Sequence, residues 1–117
     1  SYSDVELPPG RLADRLRARF ADHAHVADVR GRGLFQALEF VADRATLAPF
    51  DQARQFAARL KKTALAHGLA VYPSSGTIDG RRGDHVVVAP AYTVTAAQLD
   101  EIVTRLAAAI DATIAAA

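Results

Sequence analysis

The side chains able to do chemistry gather in one stretch, Gly68 to Thr95. Ser74, Ser75 and Thr77 offer hydroxyls, Asp79, Asp84 and His85 can exchange protons, and Arg81 and Arg82 can hold an anion. Two short apolar runs, Leu69 to Tyr72 and Val86 to Ala89, flank this polar loop, and Gly76, Gly80 and Gly83 permit tight turns inside it. A loop of this length between short strands reads as a functional or interface loop, against the competing reading of a plain surface hairpin. Asp84-His85 beside Asp79 has the composition of an acid–base pair. Consecutive strand residues face opposite sides of a sheet, so Asp84 and His85 cannot cooperate directly, and structural and substrate-rim roles both stay open.

Three other groups invite a chemical reading and are better explained without one. Arg30-Gly31-Arg32-Gly33 has the composition of a phosphate cradle or an RNA contact. Such a cradle needs a helix directly after its glycines, so that free N–H groups point at the anion. A strand-forming run, Leu34 to Val41, follows instead, and the glycines read as a hairpin turn. His23 and His25 stand two apart in what reads as a helix, where side chains diverge, with no further ligand at metal spacing; they read as an exposed helix end, and no metal site is expected. Lys61-Lys62 sits late in an amphipathic helix, where mutual repulsion favours exposure over the desolvated pocket a catalytic lysine needs.

The elements that must position the loop follow from periodicity. Pro8-Pro9 suits a first helical turn, and Leu12, Leu16 and Phe20 recur at i, i+4 and i+8, which predicts an amphipathic helix over about residues 9 to 24. Val26 to Arg30 and Leu34 to Val41 are β-rich runs around a turn at Gly31-Arg32-Gly33. In the second run Leu34, Leu38 and Phe40 share one face and Phe35, Ala37 and Val41 the other, so both faces are largely apolar. Either helices cover both sides, or one side expects a partner. Asp51 is placed to cap a helix carrying Ala53, Phe56, Ala57, Leu60 and Ala64, ended by His67-Gly68. Thr95 and Gln98 form a capping box, with Val94 and Leu99 as a staple, for a last helix striped by Ile102, Val103, Leu106, Ile110 and Ile114. Ser1 to Leu7 reads as an extended lead-in, and Ala115 to Ala117 as a frayed end. The expected fold is α+β: a small, mostly antiparallel sheet covered on one face by three helices.

The composition narrows the setting. A chain of 117 residues makes one domain. Its net charge of +1 is evenly spread, which leaves no basic field for nucleic acid or an anionic membrane. No apolar run approaches the roughly 20 residues of a membrane span, and no signal peptide is visible. The absence of Cys excludes disulfides and thiolate metal sites and fits a cytoplasmic location. The absence of Met fits either a piece of something longer or removal of an initiator before Ser1.

The run from Val29 to Phe35, with Glu39-Phe40-Val41, resembles the DVRG-x-GL…G-x-E hairpin of class III aminotransferases, pyridoxal-phosphate enzymes of fold type I. Asp43, Thr46, Pro49 and Phe50 resemble the D…T…PF segment that follows it. Gly68-Leu69, Val71-Tyr72-Pro73, Gly76-Thr77, Asp79-Gly80, Gly83-Asp84-His85 and Ala89-Pro90 resemble the GL-x-VYP…GT-x-DG…GDHV…AP block of one branch. Thr95 and Leu99 to Val103 match its T…ELDEIV helix. The likeness covers nearly the whole chain in order, and corresponds to the family's C-terminal small domain.

The resemblance implies that a large domain of the same enzyme, absent here, supplies the Schiff-base lysine, the acidic partner of the pyridine nitrogen and the phosphate loop. The intact enzyme would be a homodimer moving an amino group between an amine or amino acid and an oxo acid. The chain alone would be inactive, bind no cofactor and tend to self-associate. It implies a substrate entrance lined by Tyr72, Ser74, Ser75, Thr77 and His85. Tyr72 stands where some relatives carry a substrate-carboxylate arginine, so carboxylate recognition does not carry over to it. Ala91 stands where relatives commonly have a second proline, which implies a looser turn. The reading from a different class is a free-standing α+β module that binds a small molecule or a partner without catalysis.

Overall fold

The computed structural model describes residues 11–75, 84–91 and 93–116. The lead-in with Pro8-Pro9 and the loop 76–83 lie outside the described residues. Helix α1 is Arg11–Phe20, and it buries Leu12, Leu16 and Phe20 as their spacing predicts. It stops short of residue 24 because a turn competes for the chain: the His23 N–H donates to the Phe20 carbonyl at 3.1 Å.

Strands β1 (Val26–Arg32) and β2 (Phe35–Phe40) form the expected hairpin, but its turn is Gly33-Leu34 rather than Gly31-Arg32-Gly33. Gly31 belongs to the strand, where an added Cβ would stand 2.0 Å from the Phe35 carbonyl oxygen. Its glycine serves close backbone approach rather than turning. Within β2 the expected faces hold, and only Leu34 and Val41 fall outside the strand. Gln36, Leu38 and Phe40 point into the core, Phe35 points out, Leu34 sits in the turn and Val41 is buried beyond the strand end.

The segment after Asp51 corrects a predicted helix. The Asp51 carboxylate accepts the Ala53 N–H at 3.0 Å, but it caps only a 3-10 turn, Gln52–Arg54, and Gln55 then adopts φ 48° before helix α2 (Phe56–Ala66) begins. In an α-helix capped by Asp51, the residue stapled to Phe50 would be Gln55. The interruption brings up Phe56 instead, which stacks on Phe50 with centroids 4.5 Å apart. Phe56, Ala57, Leu60 and Ala64 are buried, while Ala53 is left exposed.

Helix α2 ends in a Schellman motif. The Gly68 N–H donates to the Leu65 carbonyl and the Leu69 N–H to the Ala64 carbonyl, both at 2.9 Å, with Gly68 at φ +75°. Leu69 is thereby committed to the helix end, which moves β3 from the predicted Leu69 to Tyr72 run to Tyr72–Ser75. Strand β4 is Asp84–Val88, and α3 is Ala96–Ala115. The capping box forms as expected: the Thr95 hydroxyl accepts from the Gln98 N–H at 3.1 Å, and the Gln98 side chain accepts from the Thr95 N–H at 2.9 Å.

The four strands lie in the order β1-β2-β4-β3, each antiparallel to its neighbours. Helices α1 and α2 pack on the sheet, and α3 runs along both of them. One continuous core joins Leu38, Phe40 and Val86 to Leu60, Leu106 and Ile110. Among the described residues the helices lie on a single face, so the two-sided apolar strand is answered by a side that no described element covers. There, among the described residues, Phe35 is 59% and Tyr72 62% exposed. No helix among the described residues is long and apolar enough to cross a membrane.

Candidate functional site

The uncovered sheet face carries the exposed Phe35 and Tyr72 beside the half-buried Ala37, Glu39, His85 and Val87. The strand register aligns them in rows. Ala37 on β2 pairs with Val87 on β4, and Val87 with Tyr72 on β3. One row along, Glu39 pairs with His85, and His85 with Ser74. Residues directly opposite in an antiparallel pair stand side by side on one face, so the register brings the His85 ring next to Glu39 and places Tyr72 over Val87. Along β1 this face is charged throughout: Arg32 pairs with Phe35, Arg30 with Ala37 and Asp28 with Glu39, and Asp28 stands 3.5 Å from Arg30.

Of the residues expected at a substrate entrance, Tyr72 and His85 are thus brought to the same face on adjacent strands. Ser74 and Ser75 belong to β3, paired with His85 and Asp84. Thr77 and the charged residues Asp79, Arg81 and Arg82 lie outside the described residues. Glu39 is the neighbour that sequence reasoning missed. It figures in the sequence only within the strand motif Glu39-Phe40-Val41, and nothing local says that β2 will pair with β4.

Asp84 and His85 separate as strand alternation requires. His85 is half-buried on the uncovered face, while Asp84 is 8% exposed on the core side. Burial raises the Asp84 pKa above its ordinary 3.8, against the lowering influence of the Ala57 N–H that it accepts and of nearby His85. Ala57 lies in the first turn of α2, whose own N-cap residue, Gln55, makes no side-chain cap hydrogen bond. Asp84 therefore supplies from β4 the acceptor that the helix start lacks.

The histidines expected as an exposed helix end are instead half-buried parts of a turn. His23 Nδ1 accepts the His25 N–H at 3.0 Å, which leaves Nε2 as the proton-bearing nitrogen of the neutral ring, 2.8 Å from the Asp111 carboxylate. His25 donates Nδ1–H to the Val41 carbonyl at 3.0 Å. These bonds tie α3 and the end of β2 to the turn after α1, and among the described residues no group of three ligands gathers for a metal.

A cleft of about 390 Å³ opens where β3 begins and β4 ends, lined by Leu69, Pro90, Val94, Glu101, Ile102 and Arg105. Its charges are committed to the protein. Arg105 forms an ion pair with Glu101 and donates to the His67 carbonyl at 3.2 Å, closing the C-terminus of α2. The chain's two lysines, Lys61 and Lys62, are exposed on α2. A lysine that holds a carbonyl cofactor needs a desolvated pocket, so the described residues do not fit a covalent pyridoxal phosphate site.

No family model matches the chain. Curated relatives do. An uncharacterized aminotransferase of Schizosaccharomyces pombe is 45% identical over 105 residues, which is 90% of this chain and 23% of the relative. The diaminobutyrate–2-oxoglutarate transaminase of Halomonas elongata is 36% identical over 86% of this chain and 20% of its own length. Among solved structures, one from the directed evolution of transaminases by ancestral reconstruction superposes with a TM-score of 0.78 at 33% identity, over 91% of this chain and 22% of that one. The PMP-bound aminotransferase of Vibrio fluvialis gives a TM-score of 0.76 at 31% identity, over 92% of this chain and 22% of that one. The chain thus spans about a fifth of the length of the proteins it matches. Similarity along most of the sequence and superposition of the fold agree, and the chain belongs to the class III aminotransferases, as their C-terminal small domain.

Proposed function

We propose that this chain works as the small domain of a pyridoxal-phosphate-dependent aminotransferase, in which it lies by its uncovered sheet face against a large domain and lines the substrate entrance. The observation that carries this reading is the four-stranded sheet whose described helices all lie on one face, while Phe35 and Tyr72 stand exposed on the other. Two large aromatic surfaces on an otherwise well-packed sheet mark a face made for contact. The intact enzyme would be a homodimer in the cytoplasm, transferring an amino group between an amine or amino acid and an oxo acid. The cofactor, held by the large domain, supplies the electron sink for that exchange.

This chain's share is geometry. Tyr72, Ser74, Ser75, Thr77 and His85 would form the rim, with Tyr72 and His85 on adjacent strands of the same face. A rim of this kind orients the entering amine and excludes water, which accelerates reaction by positioning rather than by bond-making. Tyrosine in the Tyr72 position offers an aromatic surface and a neutral hydroxyl, which suits an apolar or aromatic portion of a substrate better than a carboxylate.

Cofactor retention and kinetics test the reading together. The 117-residue chain, incubated with pyridoxal phosphate and dialysed, is expected to keep no cofactor absorbance, whereas the longer aminotransferase polypeptide keeps it. In that longer protein Tyr72→Ala is expected to raise KM for the amine about tenfold with cofactor occupancy unchanged. Stoichiometric cofactor and turnover by the 117-residue chain alone would sink the proposal.

A further inference from the structure

The turn that follows β2 holds a leucine where leucine has no local reason to be. Leu47 adopts φ +60°, a conformation that non-glycine residues avoid, and its side chain is 62% exposed. Strained backbone and apolar exposure each cost stability, and both fall on one residue. The turn does not relax to remove either. The Asp43 carboxylate accepts the Ala45 N–H at 2.9 Å, the Thr46 hydroxyl accepts the Ala48 N–H at 3.3 Å, and the Ala48 carbonyl accepts the Ala42 N–H at 2.8 Å. Arg44 anchors the loop to the turn after α1 through the His23 carbonyl at 3.1 Å. Exposed, mostly short neighbours, Ala45, Thr46 and Ala48, leave the isobutyl group standing clear of the surface.

We propose that Leu47 is a docking knob, held outward by this hydrogen-bonded turn so as to seat in an apolar pocket of the large domain of the same enzyme. The inference rests on the reading of this chain as a small domain. The occupant follows from length: the chain spans 23% of its 45% identical relative, so the greater part of such a protein lies elsewhere in the same polypeptide and meets this domain at fixed geometry. A rigid turn suits that partner, because a pre-ordered knob loses little conformational entropy on docking. The contact is separate from the sheet face. Leu47 lies beyond the Phe40 end of β2, whereas Phe35 stands at the opposite end of that strand.

The test is a sign reversal. Asparagine tolerates the left-handed region, so Leu47→Asn is expected to raise the melting temperature of the 117-residue chain by about 4 °C, through relief of strain without loss of a contact. In the longer aminotransferase the same change is expected to lower the melting temperature by a similar amount, because the seated side chain is lost. A rise in both proteins shows that Leu47 faces water in both, and overturns the proposal. No rise in the short chain overturns its premise of unrewarded strain. Phe35→Ser, in parallel, separates the two levels of inference. If it weakens the longer protein while Leu47→Asn does not, the sheet-face contact stands and the knob falls. If neither weakens it, the knob falls together with the docking reading beneath it.

Discussion

At the scale of single residues, Asp84 shows how a chemically suggestive position can turn out to be structural. It sits in the polar loop region that first draws the eye, next to a histidine, yet its carboxylate is turned inward to receive the Ala57 N–H at the start of α2. Its raised pKa means that the folded chain binds a proton more tightly than the unfolded chain does. Stability supplied by this group is therefore largest at low pH and declines as pH rises from about 3.8, where the unfolded carboxyl ionises, through the folded value. Asp84→Asn removes that ionisation. Urea unfolding across a pH series is expected to show wild type losing stability relative to the variant as pH climbs above this point, and a pH-independent difference would refute the assignment. Strand alternation alone separated Asp84 from His85. Which of the two would be buried was not legible, because that depends on β4 lying over the start of a helix far away in the chain.

At the scale of elements, the signals that were local were the ones that could be read. Thr95 and Gln98 announce a helix start through side chains that satisfy the helix's own first N–H groups, and the structure makes both bonds. Thr95→Ala is expected to lower stability by about 1 kcal/mol, as a shift of the denaturant midpoint at unchanged slope. Asp51→Ala should cost less, because Asp51 caps only the three-residue turn Gln52–Arg54; equal losses would contradict the interruption at Gln55. That interruption was hidden for a physical reason: Asp51 is a sound cap, and only the stacking of Phe50 on Phe56 decides that the helix starts later. The hairpin turn moved similarly, since the fit of Gly31 against the Phe35 carbonyl belongs to strand pairing rather than to glycine's turn preference. Histidines at 23 and 25 were read from helical spacing, and the turn they build from their own ring nitrogens was not visible in it.

At the scale of the whole molecule, the uncovered sheet face governs behaviour. An isolated chain that exposes Phe35 and Tyr72 side by side with Val87 and Ala37 is expected to self-associate, with scattering mass rising with concentration, and Phe35→Ser is expected to return it toward monomer. A monomer at every concentration for the unsubstituted chain would count against a contact face. The fold class and the one-sided covering were legible from the alternation of helices and strands. The rows across the sheet were not, since β2 and β4 come together over a long separation. That strand order bears also on synthesis. Strand β4 sits between β2 and β3, although it is the last strand to be made. While a ribosome adds the stretch from Phe40 to Val88, which takes on the order of several seconds, the β1–β2 hairpin waits with the inner edge of β2 unpaired. A nascent chain of this design carries an open template for pairing during that interval, so the tempo of translation through α2 and the polar loop sets how long it is open to misassembly with its neighbours on the same message.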